Sequence, residues 1–305
     1  MIPMPRTIEF TEVGMRDGFQ MESRILPTEV KLEFGRALIE AGVRRLEATS
    51  FVAPKLLPQL ADAADVVEGL KGRGATIAAL VPNLRGALRA IEAGVDQMVV
   101  FVSSTDAHNK ANVNSTIARS LEGVREIAHV AQYSGVKLCG AVATSFGCPY
   151  QGNVEPDEVL KVVECYARFG ITDVVFGDTT GMATPPIISR LVNTVRQGLP
   201  QINISLHLHN TRGLGLVNVM TGLQLGVTRF EASFGGLGGC PFAIGATGNI
   251  CTEDLVYMLD ELGIETGVNM DAICNIARKA ERHFGRELPG HLMDAGPRLK
   301  AVVNS

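Results

Sequence analysis

The sequence predicts an α/β protein of one kind, a closed (β/α)8 TIM barrel with an extra C-terminal helix. Three observations predict it. Eight β-branched or apolar runs alternate with eight amphipathic helical patterns, a Gly repeatedly separates a helical pattern from the next run, and no composition shift divides the 305 residues into two parts. The Gly junctions stand in Ile39-Glu-Ala-Gly-Val43, Ile91-Glu-Ala-Gly-Val95, Tyr133-Ser-Gly-Val136, Arg168-Phe-Gly-Ile171 and Gln224-Leu-Gly-Val227. A Gly just past a helix end takes the left-handed conformation that closes the helix, and the β-branched residue after it opens the strand. An open doubly wound sheet fits less well, because the first run is not followed by a Gly-x-Gly-x-x-Gly fingerprint.

In chain order, the first strand is expected over Thr7–Val13, and Pro27-Thr28 then opens a helix over Glu29–Ala41. Strands follow at Arg44–Thr49, Thr76–Val81 and Gln97–Val102, with Ser103–Lys110 read as the loop after the fourth. The fifth strand is Lys137–Ala143, and Glu155-Pro156 starts the helix Asp157–Arg168. Asp173–Phe176, Asn203–His209 and Arg229–Ser233 complete the eight, and Cys251-Thr252 opens a helix over Glu253–Leu262. A further amphipathic helix is expected over Asn269–Phe284. One domain therefore covers 1–305, with the barrel at about 5–265 and a helical extension at about 266–305.

Hydrophobic residues make up 46% and charged residues 20%, which is enough to fill a large core. The net charge of −4 and the lack of a Lys/Arg stripe argue against nucleic acid or an anionic membrane as partner. The N-terminus shows no signal-peptide pattern and no apolar run reaches membrane-span length, so a cytoplasmic protein is expected. The six cysteines form no Cys-x-x-Cys pair, which favours reduced thiols over disulfides or a zinc ribbon.

In such a barrel, functional groups gather at the C-terminal strand ends. His207 and His209 lie on one face of the seventh strand, roughly 6.6 Å apart along it, a spacing that suits two ligands of one metal ion. Taken alone, one of them would read as a core residue and the other as a turn cap. Asp17 ends the first strand, and with two imidazoles it leaves open positions on a divalent ion, Mg2+ or Mn2+, with Co2+ or Zn2+ as alternatives. For Asp17 the bland reading is a turn residue before Gly18, and for Asp178 a cap of the next helix. Arg16 is either a surface charge or a guanidinium aimed at the mouth, where it would stabilise negative charge on a substrate carbonyl. Glu47 ends an apolar strand and needs a partner, for which Arg16 is the candidate. The six glycines of Gly235–Gly248 suggest a loop able to close over a ligand or to bind phosphate. Its thiol, Cys240, reads as a proton donor, a redox-sensitive group or a small apolar filler.

Together these residues resemble the 3-hydroxy-3-methylglutaryl-CoA lyase family, within the broader group of barrel metal-dependent lyases and Claisen-type synthases. The resemblance runs from Glu12 to about Gly267. It rests on Val13-Gly-Met-Arg-Asp-Gly-Phe-Gln20, Ser50-Phe-Val-Ala-Pro-Lys55, Gly147-Cys-Pro-Tyr150, Gly177-Asp-Thr179, His207-Leu-His209, Gly236-Leu-Gly-Gly-Cys-Pro-Phe242 and Gly248-Asn-Ile-Cys-Thr-Glu-Asp-Leu-Val-Tyr-Met258. The resemblance implies Asp17, His207, His209 and Asn249 as metal ligands, Arg16 and Cys240 as catalytic groups, and Glu47, Asp178 and Glu253 as their support. Gln20 is a candidate substrate-binding residue within the first of these motifs, and Arg212, which departs from the family pattern, is a candidate contact for an additional substrate carboxylate. Glu253 otherwise reads as a first-turn carboxylate favoured by the helix dipole, and Arg212 as a solvated charge.

The implied reaction is a retro-Claisen cleavage of 3-hydroxy-3-methylglutaryl-CoA, or a close 3-hydroxy-3-alkyl acyl-CoA, to acetyl-CoA and a keto product such as acetoacetate. His207 or Asp17 would take the hydroxyl proton, Arg16 would stabilise the enolate, and Cys240 or water would protonate it. The alternative is a Claisen-type synthase or aldolase of the same group, acting on another 2-oxo acid or a citramalyl-type thioester. A third reading is a non-catalytic barrel that binds metal or CoA. The expected partner is a small acyl-CoA, and the protein is expected to be a homo-oligomer. The chain departs from the family pattern at Met15, Phe19, Asn210 and Arg212, where Pro, Leu, Asp and Tyr are usual.

Overall fold

Eight parallel strands close on themselves in sequence order in the computed structural model, whose described residues are 4–239 and 248–298. They are β1 (Glu9–Glu12), β2 (Arg45–Ser50), β3 (Thr76–Leu80), β4 (Gln97–Ser103), β5 (Lys137–Ala143), β6 (Asp173–Gly177), β7 (Asn203–His207) and β8 (Arg229–Ala232). Helices α1 (Thr28–Glu40), α2 (Ala63–Leu70) and α3 (Leu84–Ala93) follow the first three strands. After β4 come α4 (Asp106–Val113) and α5 (Ile117–Ser134), then α6 (Pro156–Arg168), α7 (Pro185–Gly198) and α8 (Gly215–Gln224), each after its strand. α9 (Thr252–Glu261) follows β8, and α10 (Met270–Phe284) with α11 (Leu292–Ala295) forms the C-terminal extension. The fold is a (β/α)8 TIM barrel.

The segment read as a loop after the fourth strand is helical. Thr105 caps α4, its hydroxyl accepting the His108 N–H at 3.3 Å, and Asn114 ends the helix at φ 53°. The reading missed it because α4 is polar (Asp-Ala-His-Asn-Lys-Ala-Asn-Val) and shows no apolar stripe. The first strand is also shorter than expected. Thr7 makes only an isolated bridge to Glu265, which ties the N-terminus to the chain after α9.

Alternation sets the inner wall. Val99, Cys139, Val175 and Ser205 face the barrel axis with two carboxylates, Glu47 and Glu231, around a cavity of about 30 Å3. The same cavity is lined by Arg229, which pairs with Asp173 at 2.6 Å and with Glu9 at 3.2 Å, and by Arg45, which donates to Gln97 at 2.7 Å. Interior carboxylates need partners, and Glu47 and Glu231 find theirs upward, toward the strand ends.

The extension supports the mouth. Phe19, just after β1, and Phe234, just after β8, meet edge to face with ring centroids 5.9 Å apart. Phe34 of α1 stacks on Phe234 at 5.6 Å, and Phe284 of α10 closes on Phe19 at 5.9 Å. Burying such rings stabilises by about 3–5 kcal/mol each against truncation to Ala. The cluster pins the loops after β1 and β8 to one another and to α10.

Candidate metal centre at the barrel mouth

The chain after β1 makes one π-helical turn, Gly14–Gly18, with the Asp17 N–H donating to the Val13 carbonyl at 2.7 Å. Such a turn is found often at functional sites. It places Arg16 and Asp17 side by side over the barrel. Gly18 allows this, since a Cβ there would lie 2.7 Å from Leu237 Cβ.

Asp17, His207 and His209 offer ligand atoms that lie within 4.8 Å of one another. Strand β7 ends at His207, and His209 sits beyond it in an antiparallel bridge with Asn249. The two Nε2 atoms converge to 3.0 Å. Asn249 donates through Nδ2 to Asp17 Oδ2 at 2.7 Å and to the Leu237 carbonyl at 3.0 Å. Its Oδ1 is buried with no hydrogen-bond partner. A buried amide oxygen of this kind needs a partner, and a cation beside Asp17 and the two imidazoles would supply one. Two nitrogens and two oxygens suit a divalent ion, so the residues fit the metal that the resemblance implies. Gly238 keeps this space open: at φ 123°, a Cβ there would stand 2.5 Å from Asn249 Nδ2 and 3.0 Å from Asp17 Oδ2.

Arg16 joins this group to the barrel wall. Its Nε donates to Glu47 Oε1 at 2.8 Å and an Nη to Glu47 Oε2 at 3.2 Å, a two-point grip, and its other Nη meets Asp17 Oδ1. Burial alone would lower the Arg16 pKa, but Glu47 and Asp17 outweigh it and hold the guanidinium charged. Burial would likewise raise Asp17, yet Arg16, His207 and His209 keep its carboxyl below the usual range. His207 is raised: burial opposes its charge, but the hydrogen bond and charge of Glu231 prevail. His209 is pushed down to about 3 by burial and by His207.

Gln20 donates to Asp17 Oδ1 at 2.9 Å and so braces a ligand candidate from the side. Asp178 holds the turn before α7, its Oδ1 accepting the Met182 and Ala183 N–H groups at 2.7 and 2.9 Å, while Oδ2 is buried with no partner. Burial pushes Asp178 up to about 7. Glu253 accepts the Gly235 N–H with both oxygens, at 3.1 and 3.0 Å, and so holds the turn that follows β8 rather than touching the metal candidates. Arg212 is exposed and donates to the Thr180 and Gly181 carbonyls at 2.9 and 2.7 Å, tying the loop after β7 to the loop after β6. Asn210 accepts the N–H of Gly215, the first residue of α8, at 3.1 Å. Cys240 lies outside the described residues.

Two buried carboxylates went unread in the sequence. Glu231 sits beside His207, its Oε2 2.9 Å from Nδ1. Glu12 accepts the Gly14 N–H at 2.7 Å, the Phe234 N–H at 3.2 Å and the Thr252 hydroxyl at 2.5 Å, joining three segments. The signal was clearest for Glu231, which like Glu47 stands among the buried residues of its strand, whereas Glu12 shares a strand with the exposed Glu9.

Comparison with known proteins agrees with this fold. The HMGL-like family model matches residues 7–279. Hydroxymethylglutaryl-CoA lyase YngG of Bacillus subtilis is 39% identical over 289 residues, covering 94% of this chain and 97% of that protein. The human mitochondrial hydroxymethylglutaryl-CoA lyase is 40% identical over 271 residues, 88% of this chain and 83% of that one. A structure of an HMG-CoA lyase from Acinetobacter baumannii, in complex with coenzyme A and 3-methylmalate, superposes with a TM-score of 0.93 at 41% identity, covering 98% of both chains. From the family match across the barrel and these relatives at about 40% identity, the chain belongs to the HMGL-like family.

Proposed function

We propose that the protein is a divalent-metal-dependent carbon–carbon lyase that cleaves 3-hydroxy-3-methylglutaryl-CoA, or a close 3-hydroxy-3-alkyl acyl-CoA, to acetyl-CoA and a keto product such as acetoacetate. The observation that carries this is the convergence of Asp17, His207, His209 and the unpartnered Asn249 Oδ1 beside a buried, charged Arg16. The names of the relatives and the coenzyme A held by the A. baumannii protein supply the substrate class.

Asp17, His207, His209 and Asn249 would hold Mg2+ or Mn2+, which when bound lowers the pKa of a chelating hydroxyl and polarises a neighbouring carbonyl. The chain's own groups do the rest. Asp17 accepts the tertiary hydroxyl proton, because both ring nitrogens of His207 are committed, Nδ1 to Glu231 and Nε2 to the ion site. As the C2–C3 bond breaks, its electron pair passes to the thioester as an enolate and the hydroxyl carbon becomes a ketone. Arg16, locked by Glu47, presents fixed positive charge to the enolate oxygen and needs no reorganisation to do so. Proton return to the enolate carbon gives acetyl-CoA, and Cys240 is the proposed donor. Gln20 steadies Asp17, and Asp178 and Glu253 keep the surrounding turns in place. Arg212, exposed at the rim, is the proposed contact for a polar end of the substrate. We place the enzyme in the cytoplasm and take it to be a homo-oligomer.

The test is to incubate purified protein with 3-hydroxy-3-methylglutaryl-CoA and Mg2+ or Mn2+, and separately with EDTA, and to measure both products. Metal-dependent release of acetyl-CoA and acetoacetate in equal amounts is expected. No release from this or any 3-hydroxy-3-alkyl acyl-CoA, with condensation of acetyl-CoA and a 2-oxo acid instead, would move the assignment to a synthase.

A further inference from the structure

We infer that Glu231 is a positioning residue that sets the tautomer of His207, fixing the proton on Nδ1 so that Nε2 offers its lone pair to the centre of the donor cluster. The inference rests on the reading of that cluster as a cation site.

Glu231 and His207 are Cα partners in the β7–β8 ladder, so their side chains rise from adjacent strands on the same inner face. Glu231 is 7% exposed, and its Oε2 lies 2.9 Å from His207 Nδ1. An ionised carboxylate can only accept a hydrogen bond, so Nδ1 must carry the hydrogen. In a neutral ring the other nitrogen is then an acceptor, and it is Nε2 that faces His209 Nε2 at 3.0 Å and shares the cluster with Asp17. A carboxylate behind a ligating imidazole both orients the ring and raises its basicity. Among the described residues nothing comparable stands behind the second ring, since His209 Nδ1 is buried without a hydrogen-bond partner. The two imidazoles are thus unequal, and the carboxylate on β8 defines His207 as the preoriented one.

Among the described residues, Glu231 makes no other hydrogen bond that explains an acid on the inner wall. It lines the cavity it shares with Glu47, and its charge adds to those of Glu47 and Asp17 in holding Arg16 cationic. Sited between the two arms, it orients one and helps charge the other.

The experiment compares wild type with Glu231→Gln and Glu231→Asp. The tautomer of His207 is read by 15N NMR on the metal-free protein, with His207→Asn to assign the signal, and Mn2+ affinity is read by calorimetry. Wild type should show hydrogen on Nδ1. In Glu231→Gln the amide can donate to Nδ1, the hydrogen moves to Nε2, and Mn2+ should bind about 10- to 100-fold more weakly. Glu231→Asp, which keeps an acceptor-only group, should retain the Nδ1–H signal and recover part of the affinity. It carries the test if the Gln variant fails to fold. An unchanged tautomer and unchanged Mn2+ affinity in Glu231→Gln, or loss of the Nδ1–H signal in a folded Glu231→Asp, would overturn the inference. Failure of the wild type to bind Mn2+ would instead overturn the cation reading, and the tautomer signal would still decide the role of Glu231.

Discussion

Replacing Glu253 with Gln should leave stability nearly unchanged at low pH and raise it at high pH. Glu253 is the second residue of α9, where the helix dipole favours a carboxylate, yet it is fully buried and burial dominates, with Asp254 and Glu12 adding like charge. Two bonds from the Gly235 N–H work the other way but do not offset it. The net result raises the Glu253 pKa from 4.5 to about 8. In the unfolded chain the carboxyl ionises near its ordinary value, so between that value and about 8 the folded state binds more protons. The contribution of Glu253 to stability is therefore full below pH 4.5 and is lost as pH rises through about 8. At 1.36 kcal/mol for each pKa unit, the ceiling is roughly 5 kcal/mol, which is on the order of 10 °C in Tm for a chain this long.

Glu253→Gln copies the neutral shape at every pH. Thermal melts at pH 5 should place the variant within a few degrees of wild type, and melts at pH 9 should place it above. A difference that stays flat from pH 5 to 9 would refute the argument that burial, rather than the helix dipole, governs this carboxyl.

Gly238→Ala should leave the fold intact but weaken divalent-metal binding at least tenfold by calorimetry, because the new Cβ would fall 2.5 Å from Asn249 Nδ2. Wild-type affinity in that variant would mean that the space beside Asn249 is not needed. Arg16→Lys should lower kcat by about 10^2 or more with little change in KM, since an ammonium cannot grip both Glu47 oxygens and still face the substrate; steady-state kinetics on the same acyl-CoA decides it. Phe34→Ala should cost about 3–5 kcal/mol in urea unfolding, as it empties the centre of the aromatic cluster that joins α1, α10 and the site loops.

Much of this was legible before any coordinates. The eight strands could be read because apolar runs open after glycines that close the helices, and the junctions at Gly42, Gly94, Gly135, Gly170 and Gly226 all take positive φ. Asp17, His207 and His209 could be placed because strand ends of a barrel converge. The pairing of Arg16 with Glu47 followed from the need of a buried acid for a partner. Asn249 was reachable only through the family resemblance, since a lone Asn after a glycine loop carries no spacing that marks a ligand. Glu231 was missed although the rule that flagged Glu47 applies equally to it. Helix α4 was hidden because its caps, not its apolar pattern, hold it. The hydrogen bonds of Arg212 to the carbonyls after β6 were also out of reach, because the sequence does not say which neighbouring loop an exposed arginine will touch.

The central claim is that Asp17, His207, His209 and Asn249 share one divalent ion, and anomalous diffraction from a crystal soaked in Mn2+ tests it most directly. One strong peak is expected at about 2.0–2.3 Å from an Asp17 carboxylate oxygen, both imidazole Nε2 atoms and Asn249 Oδ1. A saturating soak that shows Mn2+ elsewhere, or no peak among these four groups, would contradict it.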